Sequence, residues 1–269
     1  AAVLHQGKIV GLVPKTYLPN YNEFYEKRWF ASANNIGHEV VHLSGQNVAI
    51  GADMIFETMS YRFGIEICED VWAPIPPSSK HVLAGADIVF NLSASNDCIG
   101  KHEYLKNLIA QQSARCLSGY VYSGCGFGES TQDLVFSGNA LIFENGKLLS
   151  EGKRFELEPQ LVVSELDIEK LRSERRKNTT FSSSMGLLAG SSYVTQTIQQ
   201  TALANFEEKL TRSVVPYPFV PQGKELDERC EEIFNIQVEG LAKRIEHINC
   251  DTMVVGISGG LDSTLALLV

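Results

Sequence analysis

Apolar and polar positions alternate most sharply between Tyr61 and Trp72, where Phe63, Ile65 and Ile67 are separated by small or polar residues. A period of two predicts a short strand with one apolar face. That strand runs into Cys68-Glu69-Asp70, then Trp72 and prolines at 74, 76 and 77, a cluster that bars helix and sheet alike. Upstream, Val3 to Val10 reads as a hairpin that delivers Lys15 to the start of a proline-punctuated loop. Downstream, a short helical stretch surrounds His81, and Ala86 to Leu92 is a continuous apolar strand of the buried kind, closed by Ser93-Ala94-Ser95-Asn96. Helical spacing follows from Lys101 to Leu117, then a brief strand at Val121-Tyr122. Asn139 to Phe143 and Leu148-Leu149 flank Asn145-Gly146, a hairpin signal, and Leu161 to Val163 predicts a continuation of the sheet into Leu166-Asp167. From Ile168 to Thr180 charge density rises, and no further strand is predicted for some distance. Beyond the stiff Pro216–Pro221 segment, Leu226, Cys230, Ile233, Phe234, Val238, Leu241, Ile245 and Ile248 step by three and four, the pattern of an amphipathic helix. Thr252 to Ile257 predicts a buried strand, followed by a glycine-rich turn and a helix start.

Composition narrows the function classes. The chain has 269 residues, 44% hydrophobic and 20% charged, enough for a sizeable core. Its net charge of -9 argues against a nucleic-acid partner, because phosphate binding wants a basic surface. No apolar run approaches the ~20 residues that span a bilayer. Six cysteines show no metal-finger spacing, so reduced thiols in the cytoplasm are expected. Both ends read as cut, and an internal piece of a longer protein is expected.

Two stretches carry candidate chemistry. A cysteine where a buried strand breaks into a turn has the fixed backbone and accessible sulfur of a nucleophile. A buried structural thiol is the plainer reading of a lone Cys68. Glu69 and Asp70 would hold a thiol neutral unless they point away or a cation intervenes. Lys15 is the candidate cation, with an exposed solvated lysine as its plain alternative. The second stretch is Ser258-Gly259-Gly260-Leu261-Asp262-Ser263-Thr264. Strand, glycine-rich loop and helix start present backbone N–H groups to phosphate. A tight turn with a helix cap explains parts of it, and no Walker lysine follows. The septet as a whole resembles the pyrophosphate loop of ATP pyrophosphatases. Gly124 to Gly128, by contrast, misses the dinucleotide pattern, with Thr131 at the third glycine position.

Taken in order, V-P-K-T-Y-L-P-N-Y-N-E-F-Y-E-K-R-W-F (13–30), F-G-I-E-I-C-E-D-V-W (63–72), N-L-S-A-S (91–95) and G-I-S-G-G-L-D-S-T (256–264) resemble the bacterial two-domain family of glutamine-dependent NAD synthetases. The resemblance implies an α/β protein. Residues 1–205 would be a nitrilase-like four-layer αββα sandwich, incomplete at its N-terminus, that acts as a glutaminase. Residues 206–222 would be a linker, and 223–269 the first helix, strand and phosphate loop of a Rossmann-like synthetase domain. It implies Cys68 as nucleophile, Lys15 as triad lysine and Glu26 as supporting acid, with the triad glutamate upstream of Ala1. Tyr21, Glu69, Ser95 and Lys101 would hold glutamine. Gly256, Ile257, Ser258, Gly259, Gly260, Leu261, Asp262 and Ser263 would bind ATP, and the deamido-NAD site would lie beyond Val269. The implied partners are glutamine, ATP with Mg²⁺, deamido-NAD and further copies of the chain; no protein-held metal, nucleic acid or membrane is implied. A stand-alone nitrilase-type amidase, another glutamine-dependent ligase, or a non-catalytic relic are the rival readings.

Overall fold

Three two-residue turns set the sheets. β1 (Ala2–His5) and β2 (Lys8–Leu12) are joined by Gln6-Gly7, β3 (Glu39–Leu43) and β4 (Gln46–Ile50) by Ser44-Gly45, and β9 (Ala140–Glu144) and β10 (Lys147–Glu151) by Asn145-Gly146. All six turn residues have φ between 46° and 81°. Two left-handed residues in a row give the turn whose twist matches that of the flanking strands. The structure, a computed structural model, describes residues 1–129, 134–188, 191–199, 210, 212–220, 223 and 226–269. Thr131 and residues 205–209, 211, 221 and 222 of the expected boundary region lie outside the described residues.

The chain divides into two units, Ala1–Arg212 and Ser213–Val269. In the first, β1-β2-β4-β3 form one sheet. β5 (Met54–Glu57), β6 (Arg62–Ile67), β7 (Ile88–Ser93), β8 (Gly119–Gly124) and β11 (Val194–Thr197) join β9 and β10 in a seven-stranded sheet of order β10-β9-β8-β7-β6-β5-β11. Its centre is parallel, β6 beside β7 beside β8; β5 and β9 flank it antiparallel, β10 runs antiparallel to β9, and β11 pairs parallel with β5 at the edge. Between the sheets lie Val13, Met54, Phe56, Ile65 and Ile198, with Val3, Val10 and Ala49 against them. The other face of the larger sheet buries Ile55, Val89, Tyr120, Leu141 and Phe143 under α1 (Pro77–Leu83) and α2 (Lys101–Cys116), which contribute Val82, Leu105 and Ile109.

Several expectations need correction. β6 is buried on both faces rather than one: Gly64 and Glu66 turn towards α1, as central parallel strands require. A Cβ on Gly64 would lie 2.8 Å from His81 Cβ, so glycine lets α1 approach the strand. Pro77 does not bar a helix but starts α1, where its missing N–H costs nothing. Leu161 to Val163 forms no strand; Val162 sits against Gly152 while Leu161 and Val163 stay exposed, and no ladder partner meets them among the described residues. The charged stretch folds as α3 (Ile168–Lys177), capped by Asp167, and α4 (Thr179–Ser184), capped by Asn178.

His81 carries a pH signature. It is buried, its Nε2 donates to the Ile65 carbonyl at 3.1 Å, and burial pushes its pKa down from 6.5 to about 4. Between those values the unfolded chain binds the extra proton, so stability present above pH 6.5 is lost as pH falls towards 4. Glu66 and Asp70, raised by burial, act in the opposite sense. The gap in unfolding free energy between wild type and His81→Gln therefore isolates the imidazole. Denaturant titrations from pH 7 to 4 are expected to show that gap shrinking by on the order of 3 kcal/mol.

In the second unit α5 (Leu226–Ile248) matches the amphipathic stretch, and α6 (Leu261–Leu268) follows the glycine-rich loop. Thr252 to Ile257 is not a strand and is exposed, because a strand exists only as a ladder and none pairs with it among the described residues. No helix among the described residues is long and apolar enough to cross a membrane.

Candidate active site

β6 ends at Ile67, and the chain reverses through one 3-10 turn, Cys68–Trp72. Cys68 takes the left-handed conformation, φ +50°, which few residues with a Cβ adopt. Its amide donates to Asn91 Oδ1 on β7 at 3.1 Å. Asp70, 1% exposed, accepts the amides of Ile67 at 2.9 Å, Thr16 at 3.1 Å and Tyr17 at 2.7 Å. This carboxylate ties the loop that follows β2 to the turn after β6. Burial pushes its pKa up to about 6, against the pull of those amides and of Lys15.

Lys15 is not the solvated lysine of its plain reading. Its ammonium lies 2.6 Å and 2.8 Å from the two carboxylate oxygens of Glu26, with 13% of the side chain exposed. Lys15, Glu26 and Cys68 line one cavity of about 600 Å³, together with Ser93, Ala94 and Cys125 from the ends of β7 and β8. The acids beside Cys68 are engaged elsewhere, Asp70 on backbone amides and Glu69 on the Tyr21 hydroxyl at 2.7 Å. Burial, then the Glu69 carboxylate, pushes the Tyr21 hydroxyl up to about 12.

The expected glutamine contacts are only partly gathered. Tyr21 and Glu69 face a neighbouring cavity of about 710 Å³ with Trp72, which shares Leu18, Phe30 and Ala31 with the first. Lys101 Nζ is held by the Asn96 carbonyl and side chain at 2.8 Å and 2.9 Å and stands 5.6 Å from the Trp72 ring centre. Asn96 in turn donates to Glu23 at 2.8 Å. Ser95 is half-buried and lines neither cavity, whereas Ser93 does. Ser93 Oγ accepts from Tyr122 at 2.7 Å. Sequence reasoning missed Asp70, Asn91 and Ser93 as site-builders; the available signal was a polar side chain inside or at the end of an apolar strand.

In the second unit Ser258 to Ser263 close a loop over the start of α6. Ser258 N–H donates to Ser263 Oγ at 3.2 Å, Gly260 N–H to Ser258 Oγ at 3.4 Å, and Gly259 has φ +86°. Gly260 caps α6; Asp262 lies in its first turn and takes no capping role. Gly256 and Ile257 precede the loop on exposed, irregular chain, and Leu261 opens the helix.

Over 277 aligned residues the chain is 40% identical to the glutamine-dependent NAD(+) synthetase of Mycobacterium tuberculosis, covering 100% of this chain and 40% of that protein. The chain is homologous to the glutamine-dependent NAD(+) synthetases. It spans well under half the length of these curated relatives. A glutamine-dependent NAD(+) synthetase structure from Cytophaga hutchinsonii matches with 26% identity and a TM-score of 0.53, over 60% of this chain and 26% of that one. A carbon-nitrogen hydrolase from Helicobacter pylori matches with 17% identity and a TM-score of 0.53, over 70% of this chain and 64% of that one, which shows a shared fold. No protein-family model matches the chain.

Proposed function

We propose that Ala1–Arg212 is the glutaminase part, and Ser213–Val269 the opening of the ATP-using part, of a glutamine-dependent NAD synthetase. The observation that carries this reading is the shared cavity: Cys68 in a left-handed turn, opening on the same space as a Lys15–Glu26 ion pair. Cys68 Sγ attacks the side-chain carbonyl carbon of glutamine, and Lys15 Nζ stabilises the oxyanion of the tetrahedral intermediate. Glu26 holds the lysine in place. A glutamate, which the resemblance puts upstream of Ala1, takes the thiol proton and returns it to the leaving ammonia. Water then attacks the thioester, releasing glutamate and restoring the thiol. Tyr21 and Glu69 on the neighbouring cavity, and Lys101 beside Trp72, would engage the α-amino and carboxylate groups of glutamine, with Ser93 rather than Ser95 at the cavity wall.

In the second unit the loop residues Gly256, Ile257, Ser258, Gly259, Gly260, Leu261, Asp262 and Ser263 bind ATP, and deamido-NAD is adenylated on its carboxylate before ammonia displaces AMP. The start of α6 presents amide N–H groups and the positive end of its dipole to pyrophosphate. Mg²⁺ fits a site with one uncommitted acid and substrate phosphates, and Asp262, which caps nothing, is that acid. When bound, the ion screens phosphate charge. A cytoplasmic homo-oligomer completes the proposal. Similarity through the Ser258–Thr264 loop, within 100% coverage of the chain, disfavours a stand-alone amidase.

Phosphate-labelled ATP tests the synthetase reading in the full-length protein. Glutamine, deamido-NAD and Mg²⁺ are expected to yield AMP and pyrophosphate in equal amounts; ADP and orthophosphate would overturn it.

A further inference from the structure

Cys68 adopts a backbone conformation that persists only where its surroundings over-determine it, and a buried chain of hydrogen bonds leads away from its amide. Cys68 N–H donates to Asn91 Oδ1 at 3.1 Å; Asn91 Nδ2 donates to the Tyr120 hydroxyl at 3.1 Å; that hydroxyl donates to Glu66 Oε1; and Ser78 N–H donates to Glu66 Oε2 at 2.8 Å. Glu66, Asn91 and Tyr120 are each at most 1% exposed. A carboxylate inside a central strand needs a reason to be there, since burying it is costly unless its oxygens are satisfied.

We propose that Glu66 is a positioning residue for the nucleophile: by accepting from Tyr120 it sets the orientation of Asn91, and so fixes the Cys68 amide and the left-handed turn. The inference rests on the reading of Cys68 as the glutaminase nucleophile. It follows from the direction of the bonds. A carboxylate can only accept, so the Tyr120 proton points to Glu66 and the oxygen lone pair faces Asn91. Asn91 must then offer its NH₂ to Tyr120, which leaves its carbonyl oxygen for Cys68. Neither step depends on the substrate.

Glu66→Gln inverts this order at nearly constant shape. The Ser78 amide still requires an acceptor, so the oxygen of the new carboxamide meets it and the carboxamide NH₂ faces Tyr120. The hydroxyl then donates to Asn91, the amide of Asn91 turns over, and its NH₂ is set against Cys68 N–H, donor against donor. Tyr120→Phe breaks the chain at its middle while keeping the ring in the core.

The test is the rate of Cys68 alkylation by iodoacetamide at pH 8, above the pKa of about 7 to which burial raises Glu66, followed by peptide mass spectrometry in the full-length protein. Glutaminase kcat and KM and thermal midpoints are measured alongside. Glu66→Gln and Tyr120→Phe are each expected to slow alkylation at least tenfold and to lower kcat to match, with KM within twofold. Ile109→Val, a core change away from the chain of bonds, is expected to lower the thermal midpoint and leave alkylation unchanged. Alkylation and kcat within twofold of wild type in the folded variants would overturn the proposal, as would losses that Ile109→Val reproduces at equal destabilisation. Should Glu66→Gln fail to fold, Tyr120→Phe gives the same reading. Alkylation needs no glutamine, so a wild type that alkylates normally yet hydrolyses none refutes the glutaminase reading and leaves this test standing.

Discussion

Cys68→Ala is expected to abolish glutamine-supported NAD formation in the full-length protein, by about four powers of ten or more, and to leave ammonia-supported formation largely intact. Alanine keeps the Cβ, so the strain of φ +50° is the same in both and the turn has no new reason to move. The Asn91 and Asp70 bonds at the turn are made to backbone amides and survive the change. What disappears is the sulfur, and with it the covalent route. Cys68 and the Ser258–Ser263 loop lie in different units, Ala1–Arg212 and Ser213–Val269. Supplying ammonia bypasses the first. Parallel assays with glutamine and with ammonium salts decide the matter: a folded variant that loses both activities would refute the division of labour.

Lys15→Ala has the second largest expected effect. One charged donor aimed at a developing oxyanion is worth about two to three powers of ten in rate. The ion pair with Glu26 keeps the ammonium in the cavity wall rather than in solvent. Removing it also leaves the Glu26 carboxylate facing the site, an uncompensated negative charge where negative charge develops. Single-turnover acylation should therefore fall by about 10² to 10³, with a smaller fall in Lys15→Ala/Glu26→Gln, in which that repulsion is gone. Rates within threefold of wild type in the single variant would return Lys15 to an ordinary surface cation.

The hydrogen-bonded turn after β6 shows what the sequence makes legible. Alternation at Phe63, Ile65 and Ile67 marked the strand, and the break at Cys68 followed from the residues after it. The same alternation hid Glu66, because a period of two says which positions share a face and not that both faces are buried. The hairpin at Asn145-Gly146 is legible in the sequence; that of β3 and β4, turned by Ser44-Gly45, is not, because Glu39-Val40-Val41-His42-Leu43 has little contrast between its faces. β11 pairs with β5 across some 140 residues of sequence, and short-range periodicity carries no record of such pairing. Cys68 and Lys15 stand out by residue type and place, and the structure adds the cavity they share. That Ser93 rather than Ser95 lines the cavity depends on where β7 ends, which patterns locate only to within a few residues.

β6, β7 and β8 run side by side in one direction, so the chain leaves all three at the same edge, at Cys68, Ala94 and Cys125. Each exit opens a loop of its own, while the pairing beneath is set by residues such as Gly64 with Val89 and Phe90 with Val121. A loop can therefore lengthen or change its letters without shifting a neighbour's register. For descendants of this architecture, the turn that carries Cys68 and the loop that follows β7 are separately heritable. The wall of the cavity at Ala94 can therefore change with the segment after β7 while the turn that holds Cys68 is passed on untouched.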